Sequence, residues 1–392
     1  MRIIFLGILF CEASLQDAYK DVRHGISIAP HVFQKNLLDG FAQIDDAEVD
    51  VLNIPPVGSF PINNKRLFAK KYRWGKNNVQ IGYLNLPFIK HGIHKRKLFR
   101  EISQRVKEAE NPAEIKLLAY SVYEPFLDVI KKVKKKYPAV EVCLIQTDPV
   151  MGRGERDRYM TPAAVAEGNR IVEKSKCVDK FVLLTKYLAE TMEVGNRPFS
   201  VIECVCDATQ EPAKQGKGKN VCLYTGTLNE EFGIKRLAEA FAQIPNAELW
   251  ICGDGDTKDF LKEYTKIHSN IKYFGFLSRE KIAEMRDDCD FLINPRTPTG
   301  TYTKYSFPSK TVEYILSAKP VIMYKLEGIP DEFDAYLNYI YGQEMQEIAD
   351  ELKIIFARDY GALAEKAKKA RSFVLENKNG KKQAEKIIAL MK

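Results

Sequence analysis

Tyr305-Ser306-Phe307-Pro308-Ser309-Lys310-Thr311-Val312-Glu313-Tyr314-Ile315-Leu316-Ser317-Ala318-Lys319-Pro320-Val321-Ile322 reads as a polar loop, a helix opening at Pro308-Ser309-Lys310, and the start of a short buried strand that continues into Met323. Proline suits the first turn of a helix, where its missing N–H costs nothing. The N–H groups of Ser309 and Lys310 then have no partner inside the helix and point outward. Such an end attracts anions, and the lysine adds a full positive charge. Glu313 lies on the same face as Lys310, about one turn further on. A phosphate at the helix tip and a hydroxyl-rich group beside Glu313 would satisfy both.

That helix-then-strand step is one unit of an alternation that runs through the chain. Candidate strands fall at 2–9, 48–53, 79–84, 116–120, 141–146, 180–184, 199–204, 220–225, 247–252, 271–274, 290–294, 320–324 and 338–340. Helical patterns occupy 30–43, 94–109, 122–137, 161–175, 186–193, 233–243, 257–267, 278–287, 308–317, 344–356 and 360–390, the last interrupted near Asn377–Gly380. Short apolar runs alternating with helices predict parallel sheets covered on both faces. The stretch 205–219 is polar, contains Pro212, Gly216 and Gly218, and has no apolar period, so it marks a boundary. The expected organisation is an α/β chain of two Rossmann-like, doubly wound domains facing a cleft: 1–205, 206–358, and a helical segment 359–392 that crosses back to the first domain.

The 392 residues suffice for two full cores. Hydrophobic residues at 45% and charged residues at 29% are ordinary for a globular protein. No apolar run approaches the roughly 20 residues needed to span a bilayer. Met1–Cys11 carries one basic residue and no small-x-small cleavage site, so it reads as a first buried strand rather than a signal peptide. The eight cysteines (11, 143, 177, 204, 206, 222, 252, 289) show no CxxC pairing and sit mostly in apolar runs. They read as small buried hydrophobes in a reducing cytosol, neither a zinc site nor a disulfide frame.

Charge is uneven. Residues 1–200 carry a net +9 and residues 201–392 a net −1, and 51–100 hold 11 basic residues and no acidic one. Phe60, Phe68, Tyr72, Trp74, Tyr83, Phe88 and Phe99 are interleaved with those cations. The segment His94–Val106 is amphipathic. This block suits an anionic membrane surface, or it is a solvated helix face. No nucleic acid is expected, because no recognised module accompanies the patch.

The second half supplies one loop after another at strand ends. Val221–Tyr224 leads to Thr225-Gly226-Thr227-Leu228, and Leu249–Cys252 to Gly253-Asp254-Gly255-Asp256. Tyr273-Phe274-Gly275-Phe276-Leu277 leads into a helix capped by Ser278, and Leu292-Ile293-Asn294-Pro295-Arg296 ends in an arginine. With Phe-Pro-Ser-Lys…Glu-Tyr…Lys-Pro-Val-Ile, this series resembles the nucleotide-binding domain of family 4 glycosyltransferases of the GT-B architecture, over residues 220–340 and more loosely over most of the chain.

The resemblance implies a donor site for a nucleotide-diphosphate sugar, most readily a UDP-sugar. Glu313 would take the ribose hydroxyls, Gly226 and Thr227 would lie against the diphosphate, and Arg296 and Lys310 would neutralise it, assisted by backbone N–H groups near Ser309. Gly253, Phe276, Leu277, Tyr305, Ser306, Phe307 and Thr311 complete the expected donor site. Tyr305 stands where the family usually has a Glu, and Thr227 and Phe232 stand about where it has Arg and Lys. The phosphate charge is therefore assigned to Arg296 and Lys310.

The resemblance also implies retention of anomeric configuration, no metal, and a glycan acceptor, lipid-linked and used in surface polysaccharide assembly at the inner face of the plasma membrane. Two rival readings come from other classes: a catalytically inactive sugar-nucleotide-binding partner subunit, or a nucleic-acid or lipid-surface binder whose second half is only a scaffold.

In the first half, Gln146-Thr147-Asp148-Pro149 closes a buried strand. Asp148 either binds an acceptor hydroxyl or acts as a base, or it caps the following turn. Tyr120–Glu124 ends the preceding strand and could meet the acceptor. His31 opens a helix after Pro30 and reads as a polar loop residue.

Overall fold

A computed structural model describes residues 1–10, 21, 28–154 and 160–392. The chain divides into two compact units, Met1–Val205 with Asn379–Lys392, and Cys206–Lys378.

The first unit is built on an eight-stranded sheet ordered β10-β9-β8-β7-β1-β2-β5-β4. These strands are β1 (Arg2–Gly7), β2 (Glu48–Asn53), β4 (Tyr72–Trp74), β5 (Asn78–Gln80), β7 (Ile115–Tyr120), β8 (Glu141–Gln146), β9 (Lys180–Leu183) and β10 (Phe199–Val201). All neighbours run parallel except β4, which lies antiparallel to β5 at the edge. A separate two-stranded ribbon pairs β3 (Phe68–Ala69) with β6 (Tyr83–Leu84). The central strands are uninterrupted apolar runs, as a sheet covered on both faces requires. Ile3, Phe5, Leu118, Cys143 and Val182 pack on one face with Leu37 and Phe41 of the helix Ala29–Phe41 and Ala384, Ile387 and Met391 of the helix Gly380–Met391. Those two helices cross at Gly40 and Gly380, where a Cβ on Gly40 would stand 2.0 Å from the Gly380 carbonyl carbon.

The second unit holds six parallel strands ordered β13-β12-β11-β14-β15-β16. They are β11 (Val221–Thr225), β12 (Glu248–Cys252), β13 (Ile271–Tyr273), β14 (Phe291–Asn294), β15 (Val321–Tyr324) and β16 (Asn338–Ile340). In chain order this is the 3-2-1-4-5-6 winding of a dinucleotide-binding sheet. The strand order reverses between β11 and β14, and ligands of such sheets bind beyond the carboxyl ends at that point.

Ser278 caps its helix as its position suggested, accepting from the Lys281 N–H at 3.3 Å. Three expectations need correction. The strand expected at 79–84 is two strands in different sheets, and the helix expected from 94 begins at Ile89, because Phe88 enters it with φ 62° and no side-chain cap to signal the start. The segment 359–392 is also not a single returning element. Tyr360–Asn377 belongs to the second unit, and the break at Lys378 lets Asn379 cap a new helix that belongs to the first. Cys11 lies outside the described residues; the other seven cysteines pair with none of one another and are buried, except the half-buried Cys177. Among the described residues no helix is long and apolar enough to cross a membrane.

Candidate active site

Both sides of the switch point in the second sheet carry residues singled out in the sequence. Gly226 and Thr227 follow β11, and Arg296 follows β14. Thr225, the residue before Gly226, is held by Tyr314, on the short helix Ser309–Leu316. Its hydroxyl is buried, accepts the Thr225 N–H at 2.9 Å, and lies 3.2 Å from both the Thr225 carbonyl and its Oγ1. Burial pushes the Tyr314 phenol far up, so it stays a neutral pin. Tyr224 works in the same loop, its hydroxyl donating to the Thr227 carbonyl at 2.8 Å.

The three loops beyond β11, β12 and β13 are stitched to one another. Gly226 N–H donates to the Cys252 carbonyl at 3.0 Å, Leu228 N–H to Asp254 at 3.0 Å, and Gly253 N–H to Gly275 at 2.8 Å. Gly253 sits at φ 148°, and a Cβ there would fall 1.8 Å from the Gly226 carbonyl oxygen. No other residue type allows the two loops to pass so closely. Phe276, after Gly275 (φ 70°), is 84% exposed, with Leu277 half-buried beside it.

Arg296 is half-buried and donates from Nη2 to the Ser306 Oγ at 3.0 Å, with the Tyr302 and Phe232 rings 5.2 and 5.8 Å from its guanidinium carbon. Lys310 Nζ donates to Glu313 Oε2 at 2.7 Å, and Arg286 Nη1 stands 3.6 Å from Oε1. Glu313 is thus held between two cations, one on its own helix and one on the helix Arg279–Asp288. Ser309 is exposed at the helix start, as expected.

Three expected donor contacts turn inward instead. Thr311 is fully buried, its hydroxyl 3.8 Å from the Met323 sulfur. Tyr305 and Phe307 are 7% and 6% exposed, and Phe307 packs on Phe333 at 5.4 Å. The reason is local: Thr301–Tyr305 forms a 3₁₀ turn, which rotates Tyr305 toward the core. The sequence reading gave no role to Tyr314, Tyr224 or Arg286. The Glu-Tyr pair was visible in the motif, but the residue that Tyr314 meets lies 89 positions away.

Asp148 belongs to the first unit, exposed after β8. Its carboxylate accepts from Thr147 Oγ1 at 2.9 Å, and Tyr120 Oη lies 3.3 Å from that same hydroxyl. Among the described residues its carboxylate accepts from no backbone N–H. Burial raises the Tyr120 phenol to about 12, the Thr147 contact opposing it. His31 Nδ1 accepts the Phe10 N–H at 3.3 Å and shapes the loop after β1. Burial, then Lys35, holds His31 below the usual histidine range, which keeps that nitrogen free to accept.

The family of glycosyl transferases group 1 matches over residues 207–373, almost the whole second unit. No curated protein matches. Among solved structures, sucrose-phosphate synthase from Thermosynechococcus elongatus is 14% identical with a TM-score of 0.65, covering 100% of this chain and 98% of that one. TarM is 11% identical with a TM-score of 0.66 over 100% and 99%. HepE from Anabaena, solved with UDP, is 14% identical with a TM-score of 0.61 over 99% and 100%. The chain has the GT-B fold, and residues 207–373 are a glycosyl transferases group 1 domain. With that domain, the chain is a glycosyltransferase.

Proposed function

We propose that the chain moves a sugar, with retention of configuration, from a UDP-sugar to a lipid-linked glycan acceptor in surface polysaccharide assembly. The observation that carries the donor half is the pairing of Arg296 and the Lys310–Glu313 couple with the Tyr314-anchored glycine loop at one topological switch point. Arg296, Lys310 and the Ser309 N–H take the diphosphate, and Glu313 takes the ribose hydroxyls. Catalysis rests on positioning and on stabilising the departing diphosphate, without a metal. Asp148, oriented by Thr147, takes the acceptor hydroxyl. HepE and the pneumococcal O-GlcNAc transferase GtfA, both solved with UDP, support the choice of nucleotide.

Peripheral docking at the inner face of the plasma membrane completes the reading. It is supported by Ile62, Phe88 and Ile89, which are 67%, 91% and 51% exposed within the block 51–100 that has no acidic residue. Liposome flotation with anionic lipid at low salt tests it, and failure to float removes the membrane claim.

The donor assignment is tested by a thermal-shift screen over UDP-, GDP- and dTDP-sugars, followed by transfer assays on Lys310→Ala and Glu313→Ala. A ligand at about 100 times its dissociation constant adds roughly 2.7 kcal/mol and is easily seen. Full turnover in both folded variants would show that the donor lies elsewhere.

A further inference from the structure

A pocket opens at the carboxyl edge of the first sheet. Its inner wall is Phe10, which follows β1, with Pro55 and Val57, which follow β2. Phe68, Tyr72, Asn64, Arg66, Gln80 and Asn85 form the opposite side. That side comes from the ribbon β3–β6 and the β4–β5 hairpin, the part of the chain that no strand–helix alternation announced.

Of the lining residues, Gln80 belongs to a ladder of buried amides. Asn53 Oδ1 accepts the Leu9 N–H at 2.9 Å, its Nδ2 donates to the Leu9 carbonyl at 2.7 Å and lies 3.3 Å from Gln80 Oε1. Gln80 Nε2 in turn donates to the Lys70 carbonyl at 3.1 Å. The pocket is therefore set in shape before anything binds. Asn85 is 1% exposed and gives its amide hydrogens to the carbonyls of Gly58 and Arg66, at 2.9 and 3.3 Å. Two carbonyl acceptors fix which end of the amide is nitrogen, leaving Oδ1 as a buried acceptor with no donor among the described residues. A ring stands at the rim: Phe68 is 62% exposed. Arg66 is ion-paired to Asp21 at 2.5 Å, and the exposed Lys70 is the other cation of the lining.

Amides, an exposed aromatic face and a neutralised cation are the recognition chemistry of a neutral sugar. We propose that this pocket binds one pyranose ring of the acceptor glycan, its apolar face on Phe68 and a hydroxyl donating to Asn85. The inference rests on the reading of a glycan acceptor, but its site is independent of the donor site.

Saturation-transfer NMR on the full chain, with glucose, galactose, mannose or N-acetylglucosamine and with saturating UDP to block the donor site, tests it. At least one hexose should show ring-proton saturation that persists under UDP. Phe68→Ala, at an exposed position, should weaken that binding about tenfold. Ala69→Phe, which puts a ring into the opening, should remove it, and the unfolding midpoint reports whether each variant is folded. No hexose signal under UDP, a signal indifferent to Phe68→Ala, or displacement of the sugar by inorganic phosphate would each overturn the assignment. UDP binding without hexose binding refutes the pocket alone; hexose binding that survives when Glu313→Ala has no effect on turnover leaves the pocket standing and removes the donor assignment.

Discussion

Tyr314→Phe isolates the pin beneath the glycine loop, because it removes one oxygen and leaves the ring in place. That oxygen accepts the Thr225 N–H at 2.9 Å and has the Thr225 carbonyl and Oγ1 at 3.2 Å. One hydroxyl hydrogen serves one of those two, so the variant strands one buried donor and weakens one buried acceptor. An unsatisfied buried group costs about 1–3 kcal/mol, so roughly 2–4 kcal/mol is expected here. In a unit of this size each kcal/mol moves the midpoint by about 2–4 °C. Calorimetry should therefore show the second unit's transition lowered by about 4–16 °C. UDP affinity, measured by isothermal titration below that transition, should fall as well, since Gly226 and Thr227 directly follow the freed residue. Tyr224→Phe is the control: it removes only the 2.8 Å bond to the Thr227 carbonyl and should cost about 1 kcal/mol. A Tyr314→Phe midpoint within a degree of the parent, with unchanged UDP affinity, would refute the idea that this hydroxyl holds the loop.

Gly253→Ala should lower stability by about 1–3 kcal/mol and abolish detectable UDP binding, because its Cβ and the Gly226 carbonyl cannot share the space; titration calorimetry reads both loops at once. Asp50→Ala removes the buried carboxylate that Arg2 and Arg105 reach at 2.6 and 3.2 Å, leaves Arg105 with Glu101 at 2.8 Å, and should cost about 1–3 kcal/mol in denaturant unfolding of the first unit. His94 is 1% exposed, with Nδ1 2.9 Å from Tyr123 Oη, and burial, followed by His91, Lys90 and Lys97, lowers it to about 3. Between that value and the unfolded 6.5 the unfolded chain binds the extra proton, so stability present above 6.5 is lost on acidification: from pH 7 to 5 about 2 kcal/mol should go, and His94→Phe should flatten that slope in a pH series of unfolding midpoints.

What the sequence made legible follows from how local each signal is. The parallel alternation, the Ser278 cap and the glycine turns depend on neighbours a few residues apart, and the second sheet was readable nearly strand by strand. The ribbon of Phe68–Ala69 with Tyr83–Leu84 was not, since strands of two residues carry no period and are defined only by their pairing. Within the site, charged residues at loop ends could be found, because a helix tip or strand end is a local fact. Which way Thr311, Tyr305 and Phe307 face could not. A 3₁₀ turn ahead of an eight-residue helix shifts every side chain relative to a regular α pattern.

The pairing of Lys310 with Glu313 gives the site a different logic from two side chains each waiting for its own part of the ligand. A carboxylate has about four acceptor positions, so Glu313 can keep Lys310 at 2.7 Å and Arg286 at 3.6 Å and still receive two hydroxyls. The cations then act as the hinge points that aim the carboxylate. Lys310 is committed to two partners at once, because the same ammonium that steadies Glu313 stands at the helix start where the diphosphate would lie. Part of what removing Lys310 costs must therefore pass through Glu313. Arg296 reaches the site from the end of β14, where its Nη2 donates to the Ser306 hydroxyl. On the proposed donor reading, the diphosphate would meet Lys310 only after that ammonium is shared with Glu313, so the Lys310–Glu313–Arg286 group would set the register of the nucleotide.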